Sequence, residues 1–307
     1  MPTPTSSRAA SPPTGLFWFI IAACTLVFLL GLLVQFSGYQ VLDDSYMFVR
    51  YAGNVLDHGK VAWNPRGEPV YGLTSLLFLG VVLLVRLVTA GDPSLVTYLS
   101  SLLSGVAFLG LLVLLLRRHG TRWSLLLVVF TLGTATSDVA FHFSSGMDTA
   151  FAMAWVAACI LLCKEHEQRA AVWTAIAAGL WGGLSYYARP DLLLYSLLVP
   201  GAVVLFGPSR TARRQALLTL GITTVVVAAQ MGVARWYFGT ALPLPFYAKS
   251  TRLYGESVYA AYRGIPTRRL LAYATSCWPL LVALAISALA APKAFVRKMP
   301  PTERGLL

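Results

Sequence analysis

The stretch "LTSLLFLGVVLLVRLVTA" (residues 73–90) decides how this chain is arranged, because it is apolar enough to enter a membrane but short for crossing one. A helix needs about 20 consecutive apolar residues to span the hydrocarbon core. This run carries Arg86 and is followed at once by "GDPS" (91–94), which leaves room for little more than a turn. We therefore predict that it lies in the outer membrane interface, or re-enters the membrane, instead of crossing it.

The rest of the chain has the composition of a membrane protein. Of its 307 residues, 57% are hydrophobic and 12% are charged, whereas a soluble domain has about 25% charged residues. Further apolar runs occupy 16–36, 94–116, 123–143, 148–163, 170–187, 191–207, 215–237 and 270–291. The sequence therefore predicts an all-α polytopic membrane protein.

The basic residues predict which side each loop faces. The net charge is +12, and Lys and Arg cluster between apolar runs in "RRHGTR" (117–122), "KEHEQR" (164–169), "PSRTARR" (208–214) and "KAFVRK" (293–298). Loops that face the cytoplasm carry this excess of positive charge. All four clusters face inward only if 73–90 does not cross, which predicts eight spans and one interfacial helix. The same distribution argues against a nucleic-acid partner, and membrane lipids are the expected surroundings.

This arrangement divides the chain into three parts. Residues 1–15 are rich in Pro, Ser and Thr, and we expect a disordered cytoplasmic N-terminus. Residues 16–291 form the predicted transmembrane module, with 37–93 as its first outer loop. Residues 292–307 are the predicted basic cytoplasmic tail.

The outer loops collect the polar residues of the chain, beginning with the adjacent acids Asp43 and Asp44. Either acid can cap a short helix that starts at Ser45. A purely structural explanation, in which Asp44 caps the helix and Asp43 is solvated, accounts for the pair as well as a functional role does. Within that helix an apolar stripe of Met47, Phe48, Tyr51 and Val55 predicts a membrane-surface helix. "NPRGEP" (64–69) predicts a turn after it.

The stretch "LDDSYMFVRYAGNVLDHGKVAWNPRGEPVYGLTSLLF" (42–78) resembles the first outer loop of GT-C-type membrane glycosyltransferases. The resemblance is greatest to the branch that contains the mycobacterial terminal arabinofuranosyltransferases. Three further stretches match in the family's order: "SSGMDTAF" (144–151), "ARPDLLLY" (188–195) and "YFGTALPLPFYAKS" (237–250). The resemblance implies a GT-C bundle in the plasma membrane, with interfacial helices in the first outer loop and an active site that faces outside.

The resemblance also implies a reaction. GT-C enzymes move a sugar, with inversion, from a polyprenyl-phosphate donor to a glycan or lipid-linked acceptor. The first-loop aspartate of the family is the general base, which assigns that role to Asp43 or Asp44. The same loop pattern contains Arg50, Tyr51, Asn54 and Glu68, which we expect to contact substrate. Arabinofuranose is the sugar that the resemblance favours, with mannose or another hexose left open.

The leaving phosphate needs a cation or backbone N–H groups to stabilise its charge. We expect Lys249, beside the aromatic Tyr247, to be this cation, with Arg189 and Arg252 as alternatives. Asp191 is placed to pair with Arg189, and Asp148 is expected to hold the sugar or the acceptor. We expect no cofactor and no metal, since no second His stands at ligand spacing from His142. The chain has no Gly-rich phosphate loop to favour a nucleotide-sugar donor.

Two other classes of protein remain as alternatives. Members of the resembled branch usually continue beyond this length, so one alternative is a shortened, non-catalytic relative. The other is a lipid or sugar transporter, which would show internal repeats and ionisable residues near the middle of the membrane. The sequence has no evident repeat, and its ionisable residues stand at the ends of the apolar runs.

Overall fold

The computed structural model describes residues 42–89, 92–119, 138–169, 171–207 and 209–250, and this part of the chain is helical with no β-strand. Its longer helices are numbered here in chain order. They are α1 (Ser45–His58), α2 (Leu76–Thr89), α3 (Pro93–His119), α4 (Asp138–Ser144), α5 (Thr149–Arg169), α6 (Val172–Ala188), α7 (Leu193–Phe206), α8 (Arg210–Phe238) and α9 (Leu244–Ser250). A 3₁₀ turn, Pro190–Leu192, leads into α7. The predicted spans 16–36 and 270–291, most of the predicted span 123–143, and the two termini lie outside the described residues.

The long helices from α5 to α8 alternate in direction. The indole of Trp155 on α5 donates to Ser185 near the end of α6, so these two helices are antiparallel. Ser196 of α7 bonds to that same Ser185, which makes α7 antiparallel to α6. Thr219 and Gln230 of α8 bond to Ala175 and Gly183 in the same order along α6, so α8 is parallel to α6. Ser101, near the start of α3, bonds to Met147 just before α5. The ends of α6 and α8 and the starts of α3, α5 and α7 therefore lie at one end of the bundle, which we call the upper end.

Among the described helices, the most extensive contact is between α6 and α8, which are parallel. Three polar side chains of α8 donate to backbone carbonyls of α6: Thr219 to Ala175, Thr223 to Gly179, and Gln230 to Gly183. A Cβ on Gly183 would collide with the side chain of Val226. Inside a membrane the hydrophobic effect does not drive helices together. Small residues and interhelical hydrogen bonds of this kind allow close packing there.

Within the described ranges, two helices have the length and apolar composition that membrane crossing requires: the Pro93–Leu112 part of α3 and the whole of α8. Only 28% of the apolar window of α8 is buried inside the protein. Its exposed side chains include Val225, Val233 and Trp236. Large apolar surfaces left open in this way indicate association with a membrane.

Helix α2, which carries the decisive apolar run, is short. Its 14 residues extend about 21 Å at 1.5 Å per residue, against a hydrocarbon core of about 30 Å. Arg86, near its end, donates to the backbone carbonyl of Val49 on α1. The guanidinium lies against Gly53 of the same helix, so Arg86 joins α2 to α1.

The apolar stripe of α1 has a different environment from the one predicted. Phe48 and Tyr51 are buried, and they belong to a cluster with Phe78 and Val82 of α2. The rings of Phe48 and Phe78 meet edge to face at 5.0 Å. The prediction that this stripe lies on the membrane surface was wrong, because α2 supplies an apolar face within the protein that covers it.

Candidate functional site

The four stretches that carry the resemblance meet at the upper end of the bundle. The first loop touches "SSGMDTAF" where the N–H of Leu42 donates to the carbonyl of Ser145 (3.4 Å). "SSGMDTAF" touches "ARPDLLLY" through an ion pair of Asp148 with Arg189. The segment after α8 contacts the first loop, since the N–H of Leu244 donates to the carbonyl of Tyr71 (2.7 Å). Residues that are far apart in sequence therefore form one surface.

Aromatic side chains fix the same junction. The rings of Tyr71 and Phe238 stack at 4.6 Å. The hydroxyl of Tyr186 donates to the carbonyl of Ala241, and that of Tyr237 accepts from the N–H of Val61. The end of α8 is thus held against both the first loop and the end of α6.

Asp43 and Asp44 are exposed immediately before α1, which begins at Ser45 as predicted. Neither acid caps the helix through its side chain. Asp44 holds the capping position but makes no side-chain cap, and Oδ1 of Asp43 accepts from the N–H of Asp44 (2.9 Å). Ser45 instead bonds back to the carbonyl of Leu42. The capping explanation of the acid pair was therefore wrong, and both carboxylates face solvent.

Two residues predicted to contact substrate, Arg50 and Asn54, hold the first loop together. Arg50 donates to the carbonyl of Trp63 (3.0 Å) and to the side chain of Asn64 (2.9 Å), and its guanidinium lies 3.9 Å from the centre of the Trp63 ring. Asn54 donates to the carbonyls of Ala62 and Trp63. These contacts secure the predicted turn, in which the N–H of Gly67 bonds to Asn64.

Tyr51 is buried inside the same loop. Its hydroxyl donates to the carbonyl of Val70 (2.6 Å) and accepts from the N–H of Gly72 (3.1 Å). Burial raises the pKa of Tyr51 above its usual range, so the hydroxyl remains a donor at neutral pH. The position of Tyr51 is that of a loop support, with no surface left for a sugar.

The loop before α5 is held from two sides. Gly146 has φ +77°, a left-handed conformation that favours glycine, and a Cβ there would stand 2.8 Å from atoms of Ser45 and Thr97. The hydroxyl of Ser101 on α3 donates to the carbonyl of Met147 (3.3 Å). The loop therefore presents the next residue, Asp148, at a fixed position.

Asp148 is an ionisable group that is buried at this end of the bundle. Its side chain is 5% exposed, and its Oδ1 lies 3.6 Å from Nη1 of Arg189. Its Oδ2 is buried and accepts no hydrogen bond. The hydroxyl of Thr74 is near enough to favour the charged form of Asp148, but it does not meet the geometry of a hydrogen bond. Burial raises the pKa of Asp148 above its usual range, although Arg189 acts in the opposite direction.

Arg189 is directed toward both acids by the backbone. Pro190 disfavours helical geometry at the residue before it, and α6 ends there with Arg189 extended. Its Nε donates to Oδ1 of Asp191 (3.1 Å), whose side chain is 60% exposed. The predicted pairing of Asp191 with Arg189 is confirmed, and Arg189 has Asp148 as a second partner.

An apolar groove of about 700 Å³ begins beside this ion pair. Arg189 and Asp191 lie on its wall, and the remaining lining is almost entirely apolar. The side chains along it come from α3, α5 and α7, and include Phe108, Leu112, Met153, Val156, Ile160 and Tyr195. The groove therefore has one charged end and a long apolar body.

The other predicted site residues have simpler placements. Glu68 is exposed in the first loop, and Tyr247 is 39% exposed on α9. Lys249 lies on α9 in a part of the chain where only the backbone is described, and Arg252 lies outside the described residues. Within the described ranges, no three His, Cys, Asp or Glu side chains are grouped to hold a metal ion.

Comparison of the chain with protein-family models, with curated proteins and with solved structures finds no match. The geometry of the upper end is therefore the observation on which a functional proposal has to rest.

Proposed function

We propose that this chain is a GT-C-type glycosyltransferase that moves a sugar from a polyprenyl-phosphate donor to a glycan or lipid-linked acceptor. The single observation that carries the proposal is the convergence of four separate stretches on one end of the bundle. Those stretches are the ones that resemble the glycosyltransferase family. A chain that used them only as connectors between helices would have no need to join them through backbone hydrogen bonds and an ion pair.

The proposal places the upper end outside the plasma membrane. Helix directions put the described parts of three basic clusters at the opposite end, at the close of α3, the close of α5 and the start of α8. Loops with this excess of Lys and Arg face the cytoplasm. The shortness of α2 supports our eight-span arrangement, in which that helix does not cross.

The chemistry assigned to this end begins with a weak nucleophile. An acceptor hydroxyl attacks the anomeric carbon while a carboxylate removes its proton, and the donor phosphate leaves with the electrons of the broken C–O bond. Positioned general bases contribute about 10²–10⁴-fold. Asp43 and Asp44 are exposed and free of a capping role, which suits them to meet an acceptor that arrives from solvent.

The phosphate end of the donor requires a cation near an apolar path for the isoprenoid chain. Arg189 is such a cation, and the 700 Å³ groove at whose charged end it lies is such a path. We therefore place Arg189 first among the phosphate ligands, ahead of Lys249 and Arg252. Arginine suits this role since its planar guanidinium binds phosphate oxygens in pairs.

The proposal is tested by sugar transfer in membranes that contain the full chain. Polyprenyl-phosphate pentose and polyprenyl-phosphate hexose are offered as donors, with a nucleotide sugar as the negative control. We expect transfer from one lipid-linked donor, and a loss of about 10²-fold or more in Asp43→Asn or Asp44→Asn. Asp57→Asn is the matched control, since Asp57 is an exposed acid on α1, the helix that Asp43 and Asp44 precede.

Two results would contradict the proposal. Transfer that continues unchanged in both aspartate variants would remove the general base from the first loop. A wild-type chain that is folded in the membrane and transfers sugar from neither lipid donor would favour the non-catalytic alternative.

A further inference from the structure

Arg189 is shared unequally between two carboxylates. Its bond to the exposed Asp191 is 3.1 Å long, and its approach to the buried Asp148 is 3.6 Å. Charge-assisted N–H···O bonds are normally about 2.7–2.9 Å. The contact with Asp148 is therefore a weak one, and little is lost when another anion replaces it.

Asp148 is poorly provided for as a charged group. A buried carboxylate needs several hydrogen bonds or a close cation to remain ionised, but Oδ2 accepts none. Among the described residues, the charged groups that act on it are Arg189 and Asp191, and the second of these repels it. If Arg189 turned away, Asp148 would be left without its cation and would take up a proton.

The charge of the cluster depends on that proton. With both acids ionised and Arg189 charged, the three groups carry a net negative charge, which disfavours a second anion in the groove. With Asp148 protonated, the cluster is neutral and Arg189 is free to accept an anionic headgroup. The apolar walls of the groove suit an amphiphile, because the chain of such a ligand loses its contact with water there.

We propose that Asp148 occupies Arg189 in place of a ligand, and that the phosphate diester of an isoprenoid lipid displaces it while Asp148 takes up one proton from solvent. The choice of an isoprenoid diester rests on the proposed function; the exchange of one anion for another rests on the geometry. No covalent bond changes in this step, and the balance is one ligand and one proton bound for each site filled.

The proposal predicts a definite pH dependence. Above the pKa of Asp148, ligand affinity falls by about tenfold for each pH unit, because each binding event requires a proton that is tenfold scarcer. Below that pKa the affinity is constant. The probe must not titrate itself, and farnesyl methyl phosphate, a diester with a single permanent charge, meets this condition.

The experiment is calorimetry of the purified full chain in lipid nanodiscs, titrated with farnesyl methyl phosphate between pH 5 and pH 8. Two buffers with different ionisation enthalpies give the number of protons taken up. We expect uptake to approach one proton per ligand at the upper end of this range. Asp148→Asn should bind more tightly at pH 8, with no proton uptake and no pH dependence.

Three controls identify the groups involved. Asp57→Asn removes an exposed acid elsewhere and should keep the wild-type uptake. Arg189→Gln should weaken binding by at least about tenfold, the loss of one charge-assisted contact. Farnesol, which has no charge, should bind without proton uptake.

The outcomes separate this proposal from the glycosyltransferase proposal. Affinity that is independent of pH, or full proton uptake in Asp148→Asn, overturns the proton-linked exchange even if the chain transfers sugar. Tighter binding of farnesylamine than of the diester overturns it also, since it would make the cluster a cation site. Absence of sugar transfer together with the expected uptake would remove the transferase function and leave the anion site intact.

Discussion

Two groups of acids stand at the upper end of the bundle, and their surroundings are opposite. Asp43 and Asp44 precede α1, face solvent and leave their helix uncapped. Asp148 precedes α5, is buried, and shares Arg189 with Asp191. Under the proposed function the first pair can meet an incoming hydroxyl, whereas Asp148 depends on Arg189, the one cation that acts on it among the described residues.

The largest effect expected from this comparison concerns the loop that fixes Asp148. Gly146→Ala places a Cβ against Ser45 and Thr97 at a residue with φ +77°, and strain and overpacking together should lower the free energy of unfolding by about 2–4 kcal/mol. Thermal unfolding in detergent measures this loss.

Gly59 is the matched control for that substitution. It also has positive φ, +65°, but nothing lies within 4 Å of the position of its Cβ. Gly59→Ala should therefore cost only the backbone strain, about 1 kcal/mol. Equal losses in the two variants would show that the loop before Asp148 is not held as described.

The next effect concerns the buried charge. Arg189→Gln removes the group that lowers the pKa of Asp148, so this pKa should rise further above its ordinary value. A carboxyl with a raised folded pKa contributes stability below its unfolded pKa of about 4, and this stability is lost as pH rises through the folded pKa. The variant should therefore be less stable than wild type by about 1–3 kcal/mol at pH 8.

The sign of the pH dependence is the decisive part of that measurement. The deficit of Arg189→Gln should shrink as the pH is lowered from 8 to 5, because protonated Asp148 needs no cation. Unfolding curves at both pH values give the comparison. A deficit that stays constant would mean that Arg189 stabilises the fold through its contact with exposed Asp191 alone.

The smallest effect concerns the first loop, where Tyr51 supports the backbone. Tyr51→Phe deletes a buried hydroxyl that serves Val70 and Gly72 and should cost about 1 kcal/mol of stability. Tyr46 is on the same helix as Tyr51, and its exposed hydroxyl bonds to Ser94 at the start of α3. Tyr46→Phe should change stability by less than about 0.5 kcal/mol. If Tyr51→Phe left stability unchanged but raised the KM for donor, Tyr51 would be a ligand contact.

Much of the helical architecture was accessible from the sequence. The start of α1 at Ser45 and the turn at Asn64 were both predicted, although no acid side chain caps the helix. Gly59, with φ 65°, ends the helix in a left-handed conformation that glycine favours. The gathering of distant polar stretches at one end followed from counting charges between apolar runs. Helix starts, turns and the charge of connecting loops depend on residues that are close together in sequence, so the sequence alone predicts them.

The site itself was less accessible, because burial depends on partners that are distant in sequence. Nothing near Arg50 or Tyr51 reveals that their polar atoms are used by Trp63 and Val70. Asp148 was predicted as a site residue. Its missing hydrogen bond and its long ion pair with Arg189 depend on the packing of α5 against α6, which local sequence does not reveal. A signal was present in "ARPD", where Arg189 is held extended before a proline.

Sidedness is the central claim of the proposed function, and labelling in intact cells tests it most directly. In a chain with Cys24, Cys159, Cys163 and Cys277 replaced by Ala, single cysteines are introduced at Arg66 and Arg210, two exposed positions at opposite ends. An impermeant maleimide should label position 66, and should label position 210 only after the cells are opened. Labelling of both positions in intact cells, or of position 210 alone, would contradict an outward-facing upper end.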